Sequence, residues 1–328
     1  MQGNLKTAEE RAPNARVYAL AERDRRLERM VALFAIVVPT LGAIGAVVTA
    51  AVFGLSWIEV TLWAVGHALT GFGIAIGYHR LASHKSFDTT PFLTALFAVL
   101  GSMCAQGPVI WWAAVHRRHH ATSERPGDPH SPYVGKDGQM TPLRGFWHAH
   151  MGWLFVHENT DWMHYVPELL KDPRMFSINQ HYFSWLALGL AIPAALGGLL
   201  HQSWQGAVLG FFWGGLLRVF TTQHATWCIN SVCHVFGSRP FECRDQARNN
   251  LLIVLPTMGE GWHNHHHTFP KTAINQFEWW QFDPSGLLIR ALGAVGLASN
   301  IHFPSREARE QYRRELLSRS AVNEGASS

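Results

Sequence analysis

Two long uncharged runs near the start of the chain constrain its fold more than any other feature. Residues 31–55 carry no charged side chain, and residues 58–78 carry only Glu59, at the start of the run. As a helix, each run is long enough to cross the hydrocarbon core of a bilayer, which takes about 20 residues. Only a few residues around Ser56 separate the two runs, so they predict a helical hairpin whose two ends lie on one side of a membrane.

A second pair of apolar runs predicts a second hairpin. A short link joins residues 182–200 to residues 204–227, and Arg218 and His224 fall in the last third of the second run. A charge within a span is costly, and it marks either function or the interfacial end of the span. The chain is 48% hydrophobic and 15% charged, with 14 Trp, which is typical of a membrane protein. We therefore predict an all-α integral membrane protein with four transmembrane helices in two hairpins.

Basic residues predict the orientation of the chain. The first thirty residues are rich in Lys and Arg, which favours a cytoplasmic N-terminus: Lys6, Arg11, Arg16, Arg23, Arg25, Arg26 and Arg29. The formal net charge of +4 is modest, and we attribute it to this bias and to anionic lipid rather than to nucleic-acid binding. The predicted organisation is a cytoplasmic N-terminal segment at 1–30, a membrane domain at 31–283, a C-terminal helical segment at 284–317 and a disordered tail at 318–328.

Eight histidines form three tight clusters, all expected at the cytoplasmic ends of the hairpins. The clusters are His79 and His84; His116, His119 and His120; and His263, His266 and His267. Helical residues at i, i+3 and i+4 share a face, so the second and third clusters each aim three imidazoles in one direction. The i, i+5 spacing in the first cluster predicts that a helix ends there. One metal cannot easily use eight nitrogens, so we predict a cytoplasmic helical cap that holds two metals.

Residues 91–114 are ambiguous, because their apolar part is long enough for a fifth crossing. Gly101, Gln106, Gly107 and Pro108 interrupt it, however, and a crossing would put the first two histidine clusters on opposite sides of the membrane. We favour an amphipathic or re-entrant helix at the interface over a five-span arrangement.

The composition of the clusters narrows the choice of metal without settling it. The four cysteines form no CxxC pair and no iron–sulfur spacing, and acidic residues near the clusters are few. An imidazole-rich site suits iron, zinc or copper. Of these, iron would join a membrane-adjacent site to oxygen chemistry on lipid, but spacing alone leaves the metal open.

The clusters resemble the three histidine boxes of the membrane fatty acyl desaturases, in particular the Δ9, stearoyl-CoA-desaturase-like branch. The matching segments are 79–84, 116–120 and 259–270, with further similarity at 128–130, 227–234 and 279–283. The resemblance covers roughly residues 71–283. It implies a non-haem di-iron enzyme that uses O₂ and two electrons to introduce a cis double bond, expected at Δ9, into a long acyl chain.

The resemblance also implies a ligand set. His234 matches a ninth metal ligand, and Asn230, one helical turn earlier, matches a residue that holds a metal-bound water. One iron would be held by His79, His84, His116, His120 and His266, and the other by His119, His234, His263 and His267. Carboxylates are expected to orient the metal-bound imidazoles, and the nearest in sequence are Glu124, Asp128 and Glu260.

Substrate residues are implied by ungapped matches, and the departures from the family concern the substrate headgroup. The matches that would line an acyl tunnel are Gln106, Trp112, Thr226 and Trp227, although interfacial anchoring is the alternative for the two tryptophans. Where the animal acyl-CoA enzymes have polar and charged residues, this chain has Gly107, Ala114 and Val115, and it adds a loop at 131–144. We therefore hypothesise a glycerolipid or acyl carrier protein as acyl donor, or a different mode of acyl-CoA binding.

No redox module is recognisable in the chain, so an external donor is expected: a ferredoxin, a rubredoxin or a cytochrome. Arg117, Arg118 and Arg125 would steer an acidic donor or, alternatively, bind lipid phosphate. Two other functions remain as alternatives. A fatty acyl or alkane hydroxylase uses related histidine boxes. A histidine-rich metal transporter would carry its ligands inside the spans, where these clusters do not lie.

Overall fold

The computed structural model describes residues 16–19, 21–156 and 158–325, which are mostly helical. Lys6 and Arg11 lie outside the described residues. The α-helices are α1 (Glu22–Phe53), α2 (Trp57–Phe72), α3 (Pro91–Ser102), α4 (Val109–Thr122), α5 (Pro142–His150), α6 (Trp162–Tyr165), α7 (Pro167–Lys171), α8 (Pro173–Gln180), α9 (Tyr182–His201), α10 (Trp204–Gly210), α11 (Arg218–Val235), α12 (Leu251–Val254), α13 (His263–Thr268), α14 (Pro284–Ala294) and α15 (Arg306–Gly325). Short strands pair antiparallel: β1 (Val17–Ala19) with β5 (Glu158–Thr160), β2 (Asp88–Thr89) with β6 (Ala298–Ser299), and β3 (Val134–Gly135) with β4 (Gly138–Gln139).

Three helices of the described residues are long and apolar enough to cross a membrane: Glu22–Phe53, Trp57–Ser83 and Tyr182–His201. The fourth predicted span is helical but is not among them. It consists of α10, a π-helix at Phe211–Leu217, and α11. The polar side chains of α11, Arg218 and Gln223 among them, lower its apolar content, and both are buried inside the protein.

The two hairpins are joined at the end opposite to the histidines. Ser56 caps α2 in a capping box with Glu59, whose side chain accepts a hydrogen bond from the backbone of Ser56 at 2.8 Å. The other oxygen of the buried Glu59 carboxylate lies 2.6 Å from Nε2 of His201, at the end of α9. Glu59 therefore links the turn of the first hairpin to the turn of the second.

The helix that carries the first histidine cluster changes its winding before it ends. From Gly73 to Ser83 it is a π-helix, and the backbone N–H of His84 donates to the carbonyl of His79 at 3.1 Å. Bonds between residues five apart define this winding, which is common at functional sites. The helix ends at Ser83, which agrees with the predicted end at this cluster. The sequence did not indicate the π-helix, which brings residues five apart onto one side.

Residues 91–114 form α3 and the first part of α4, which are separated by a turn, rather than one continuous helix. α3 packs against the π-helix so closely that a Cβ on Gly73 would lie 2.2 Å from the backbone nitrogen of Gly101. The chain turns after Ser102 and continues as α4. Arg218 explains how this turn is tolerated inside the protein, because its guanidinium donates to the carbonyls of Met103 at 2.6 Å and Gly189 at 2.7 Å. A cation at the C-terminal end of α3 satisfies carbonyls that the helix leaves free.

The C-terminal part of the chain is also helical. α14 is followed by α15, which continues through Gly325, whereas the sequence predicted disorder from residue 318. The segment is rich in Arg, Glu and Leu, which favour helix, and Arg306 pairs with Glu310 one turn on at 2.9 Å. Residues 326–328 lie outside the described part.

Candidate metal centre

Five imidazoles converge at one point of the structure, and we call them the five-histidine group. Their ligand nitrogens lie within 4.8 Å of one another: His79, His84, His116, His120 and His266. The π-helix supplies the first, His84 follows its end, α4 supplies two and α13 supplies the last. Neighbouring Nε2 atoms face each other at 2.8 to 3.1 Å, as in the pair His84–His116 at 2.8 Å and the pair His120–His116 at 3.1 Å.

Four more imidazoles converge beside them as the four-histidine group. The members are His119 from α4, His234 from α11, and His263 and His267 from α13. The Nε2 atoms of His263 and His234 are 3.0 Å apart. The Nε2 atoms of His119 and His267 are buried and have no hydrogen-bond partner among the described residues.

The two groups are connected twice by the covalent chain. His119 and His120 are consecutive, yet one belongs to each group, and the same holds for His266 and His267. The ring centroids are 5.6 Å apart in the first pair and 5.6 Å apart in the second. Two helices, α4 and α13, therefore each contribute to both groups.

The donor set fits two metal ions. At a metal–nitrogen distance of about 2.1 Å, two cis nitrogens at a right angle are about 3.0 Å apart, which is close to the Nε2–Nε2 separations within each group. Buried imidazole nitrogens that face one another without a shared proton would otherwise be costly, because unpaired polar atoms in an interior destabilise the fold. Each group therefore has the spacing and the converging nitrogens that a single bound cation would use.

Carboxylates hold the Nδ1 atoms of four of these rings. Asp128 accepts from His119 at 2.9 Å, and Glu124 accepts from His234 at 2.9 Å. Glu260 lies 2.8 Å from Nδ1 of His79. These three carboxylates are the ones that the sequence indicated, and all three contact histidines of the two groups.

A fourth carboxylate, Asp245, was missed. Its Oδ2 accepts from Nδ1 of His267 at 2.7 Å. Asp245 lies 22 residues before His267 on a loop without regular secondary structure, so no helical spacing relates the two. The only signal in the sequence was that Asp245 is an acidic residue in the segment between His234 and His263. Nδ1–H to carboxylate bonds fix the tautomer of an imidazole and turn Nε2 toward a metal.

One of these carboxylates is itself held by a buried arginine. Arg80 donates through Nε to Glu260 at 3.0 Å and through its two terminal nitrogens to Asp283 at 3.1 and 3.0 Å. Arg80, Glu260 and Asp283 are all buried, at 3% exposure or less. Asp283 also accepts from the backbone of Gly286 at the start of α14. This network fixes Glu260 from the side away from His79.

The electrostatics of the centre keep most of its imidazoles neutral. Burial, followed by the neighbouring imidazoles, lowers the pKa values of His116, His120 and His266 well below 6.5. Burial also lowers the pKa of His267 to about 4, although Asp245 opposes the shift. Burial alone would raise the pKa of the Asp245 carboxyl, but the hydrogen bond and attraction of His267 hold it far below its ordinary value. Neutral imidazole is the form that binds a metal.

His119 is the exception. Burial lowers its pKa, but the attraction of Asp128 more than offsets this, so its pKa is raised. His130, which the sequence matched only as part of the segment 128–130, lies beside it with 4.3 Å between the ring centroids. Its Nδ1 is buried and has no hydrogen-bond partner among the described residues.

A cavity of about 350 Å³ lies against α4, the helix that carries His116, His119 and His120. It is bordered by the first turns of α1, by α4, by the start of α9 and by Trp227 of α11, and Gln106 and Gly107 also line it. Asn230 follows Trp227 by three residues and His234 follows it by seven, so the three lie on one face of α11. The cavity wall thus leads along this face to the four-histidine group.

The four residues matched to an acyl tunnel separate in the structure. Gln106 and Trp227 line the cavity, whereas Trp112 and Thr226 are not among its lining residues. The indole of Trp112 stacks on the imidazole of His116, with 4.9 Å between the centroids. The hydroxyl of Thr226 donates back to the carbonyl of Thr222 at 2.9 Å.

Only one of the three arginines expected to steer a redox partner is exposed. Arg118 is buried, donates to the carbonyl of Gly127 and pairs with Glu158 at 2.9 Å. Arg117 is mostly buried and pairs with Glu168 at 2.7 Å. The steering role predicted for these two is therefore wrong, because folding uses their charge inside the protein. Arg125 alone is exposed.

Comparison with known proteins agrees with this site. The fatty acid desaturase family matches residues 55–284. The chain is 44% identical to a hex-5-enoyl-(acyl-carrier protein) acetylenase of Moorena producens (strain JHB), over 82% of this chain and 84% of that protein. It is 33% identical to an sn-1 stearoyl-lipid 9-desaturase of Anabaena variabilis, over 77% and 87%. It is also 33% identical to a probable acyl-CoA desaturase of Schizosaccharomyces pombe, over 77% of this chain and 52% of that protein.

The matched region begins just before α2 and includes all nine histidines of the two groups. Its extent, together with the relatives named above, makes the chain an oxidoreductase that acts on fatty acyl chains. The chain belongs to the fatty acid desaturase family.

Proposed function

We propose that this protein is a di-iron acyl desaturase, with one iron in the five-histidine group and one in the four-histidine group. The observation that carries the proposal is the pair of buried imidazole groups, in which the ligand nitrogens lie within 4.8 Å of one another. Bound iron would supply the activation of O₂ that the removal of two hydrogens from an unactivated acyl chain requires. Two electrons would come from an external ferredoxin, rubredoxin or cytochrome.

The protein's own residues orient the ligands. Asp128, Glu124, Asp245 and Glu260 each hold the Nδ1 side of one imidazole, and this leaves Nε2 free toward the centre of the group. Asn230 precedes His234 by one helical turn and would hold a metal-bound water. In this assignment the nine histidines are the metal ligands.

The proposed arrangement in the membrane has four spans and a cytoplasmic catalytic cap. α1, the helix Trp57–Ser83, α9 and the combined α10–α11 segment cross the bilayer. All nine histidines then lie at the cytoplasmic ends of the two hairpins. The basic first turns of α1, which carry Arg23, Arg25, Arg26 and Arg29, support this orientation.

The cavity beside α4 is proposed to receive the acyl group. Gln106, Trp153 and Trp162 line it, and each carries a buried N–H without a partner among the described residues. Arg118 also lines it but is paired with Glu158. Such a wall favours a neutral group with several carbonyl acceptors over a phosphate.

We favour an acyl carrier protein as the acyl donor. Ala114 and Val115 are buried and offer no charge to the nucleotide of coenzyme A. The relative at 44% identity is named for a substrate on an acyl carrier protein. A pantetheine arm would present amide and thioester carbonyls to the three N–H groups of the cavity.

One alternative reaction is supported by a specific observation. The same relative is named as an acetylenase, which favours desaturation of an already unsaturated chain as the second candidate function. The double bond itself is proposed at Δ9, in line with the name of the Anabaena relative.

The deciding experiment supplies purified, iron-loaded protein with O₂, a reduced ferredoxin and an acyl chain on an acyl carrier protein, on coenzyme A or in a glycerolipid. Mass spectrometry should show a loss of two hydrogens from the saturated chain, fastest with the carrier protein. A gain of one oxygen would instead identify a hydroxylase. Preferred turnover of acyl-CoA would overturn the choice of donor but not the desaturase assignment.

A further inference from the structure

Residues 250–262 form a closed loop between the second hairpin and the third histidine cluster. The backbone N–H of Asn250 donates to the carbonyl of Gly261 at 2.9 Å, and that of Gly259 donates to Val254 at 2.8 Å. The loop therefore begins beside the end of α11, where the side chain of Asn250 donates to the carbonyl of Phe236, closes on itself and leads to α13. Its first half includes the one-turn helix α12.

The outward side of this loop is apolar and uncovered by the described residues. Leu251, Leu252 and Leu255 are 67%, 85% and 62% exposed. Three large aliphatic side chains this exposed within five residues are unfavourable in water, since each buried leucine would contribute about 1.5 to 3 kcal/mol.

Contacts on the inner side of the loop indicate its depth. The carbonyl of Pro256 lies 2.9 Å from Nε2 of His67, and Met258 packs against Gly71, where a Cβ would come within 2.9 Å of its side chain. His67 is ten residues beyond Trp57, which places it about 15 Å along the helix from its start. The hydrocarbon core is about 30 Å thick. Pro256 therefore lies near the middle of the span Trp57–Ser83, well below its cytoplasmic end.

The backbone of the loop is suited to a medium without water. Asn250 caps the N–H of Leu252 with its side chain at 3.1 Å, and its carbonyl accepts from Ile253 at 3.1 Å. The N–H of Thr257 donates to Ile253 at 3.2 Å. Proline at 256 has no N–H to satisfy, and His67 takes its carbonyl. Non-helical backbone is tolerated at membrane depth only where protein covers it, so these internal bonds leave the leucine side chains, and not the backbone, to face lipid.

We propose that residues 250–258 are a re-entrant loop whose leucines contact the acyl chains of the cytoplasmic leaflet. The partner of this surface is bilayer lipid. The inference rests on the proposed crossing of Trp57–Ser83 but not on the reaction or the metal. The loop anchors the chain in the membrane and ends five residues before His263. It therefore positions the third histidine cluster from the membrane side.

Spin labelling in lipid bilayers tests the depth of the loop. A nitroxide on L252C should be relaxed by O₂, which concentrates in hydrocarbon, and protected from a water-soluble nickel chelate. L41C on exposed Leu41 of α1 is the lipid reference, and R306C on exposed Arg306 of α15 is the aqueous reference. The parent protein, labelled in the same way, measures the contribution of the native cysteines.

A response of L252C like that of L41C supports the proposal, and a response like that of R306C overturns it. If L41C itself behaves like R306C, the first hairpin, of α1 and the helix Trp57–Ser83, does not cross the membrane and the proposal fails with it. An immobile label protected from both reagents would show that a protein covers the leucines, which also overturns the proposal.

Substitution of His67 gives a second, independent arm. H67L removes the donor to Pro256 and should move the label at position 252 toward the aqueous reference. H67Q keeps an N–H donor and should retain the depth. Equal depth in both variants would show that His67 does not hold the loop.

Discussion

The imidazoles of His79 and His84 lie 4.8 Å apart between ring centroids, although the two residues are five positions apart, one inside the π-helix and one directly after its end. In an α-helix the second would point well away from the first. The π-helix removes this offset, and both rings reach the five-histidine group. Restoring α-helical winding here would withdraw a ligand, so this local winding is part of the centre.

Loss of one ligand should disable the centre without unfolding the protein. In the His119→Ala variant we expect activity to fall by at least about 100-fold, because removal of a ligand exceeds the 10- to 100-fold effect of an outer partner. Iron per chain should fall as well, measured by elemental analysis of the purified protein. His302→Ala, at an exposed ring that belongs to neither group, is the control. Retained turnover in His119→Ala would refute the ligand assignment.

The missed carboxylate gives a sharper prediction. Asp245→Asn keeps the size of the side chain but weakens its bond to Nδ1 of His267. Iron affinity should fall by about 10- to 100-fold, measured by competition with a chelator. Asp137→Asn, at a carboxylate that is 83% exposed, should leave the affinity unchanged. Equal affinity in both variants would mean that Asp245 does not orient His267.

Arg80 should matter for stability as well as for the metal. Arg80→Met leaves Glu260 and Asp283 buried without their cation, and removing one partner of a buried pair costs about 3 to 5 kcal/mol. Thermal unfolding in detergent should show a clear loss in Tm. Arg26→Met breaks an exposed pair with Glu22 and should cost at most about 1 kcal/mol. A small change in Arg80→Met would show that the network relaxes or admits water.

The stability of the metal-free fold should depend on pH. In the metal-free fold the pKa values of His116, His120, His263 and His266 lie well below 6.5, so the unfolded chain binds more protons than the folded one below pH 6.5. Stability must then fall as the pH is lowered from 6.5, by up to about 1.4 kcal/mol per pH unit for each such histidine. Because the pKa of His119 is raised, this one residue contributes a pH dependence of the opposite sign.

Unfolding followed from pH 7.5 to pH 5, with and without a chelator, measures this dependence. The iron-loaded protein should be more stable than the chelated protein at each pH and should lose stability at least as steeply as the pH falls, because metal-bound imidazoles, that of His119 included, take up no protons in the folded state. Equal stability with and without the chelator at pH 7.5 would indicate that the histidines bind no cation.

Much of the architecture follows from patterns with a definite period. Runs of apolar residues predicted the helices at the hairpins, and the i, i+3, i+4 spacing predicted that α4 and α13 each present several imidazoles on one side. The carboxylates Glu124, Asp128 and Glu260 were found because they lie close to histidines in the sequence.

The features that were missed depend on contacts between distant segments. Asp245 reaches His267 from an irregular loop, and the burial of Arg118 against Glu158 depends on β5, 40 residues away. The depth of Pro256 depends on His67, which is 189 residues earlier. The π-helix has no periodic signature in the sequence, because a single added residue per turn looks like a shift of register.

The consecutive pairs His119–His120 and His266–His267 fix the backbone distance between the two histidine groups at two places. Consecutive Cα atoms are 3.8 Å apart across a trans peptide, and this distance hardly changes with temperature or environment. Two such peptide links, one on α4 and one on α13, hold the backbones of the two groups at a constant separation. A change in the tilt of the hairpins would therefore leave the backbone separation of the two groups unchanged at these two points.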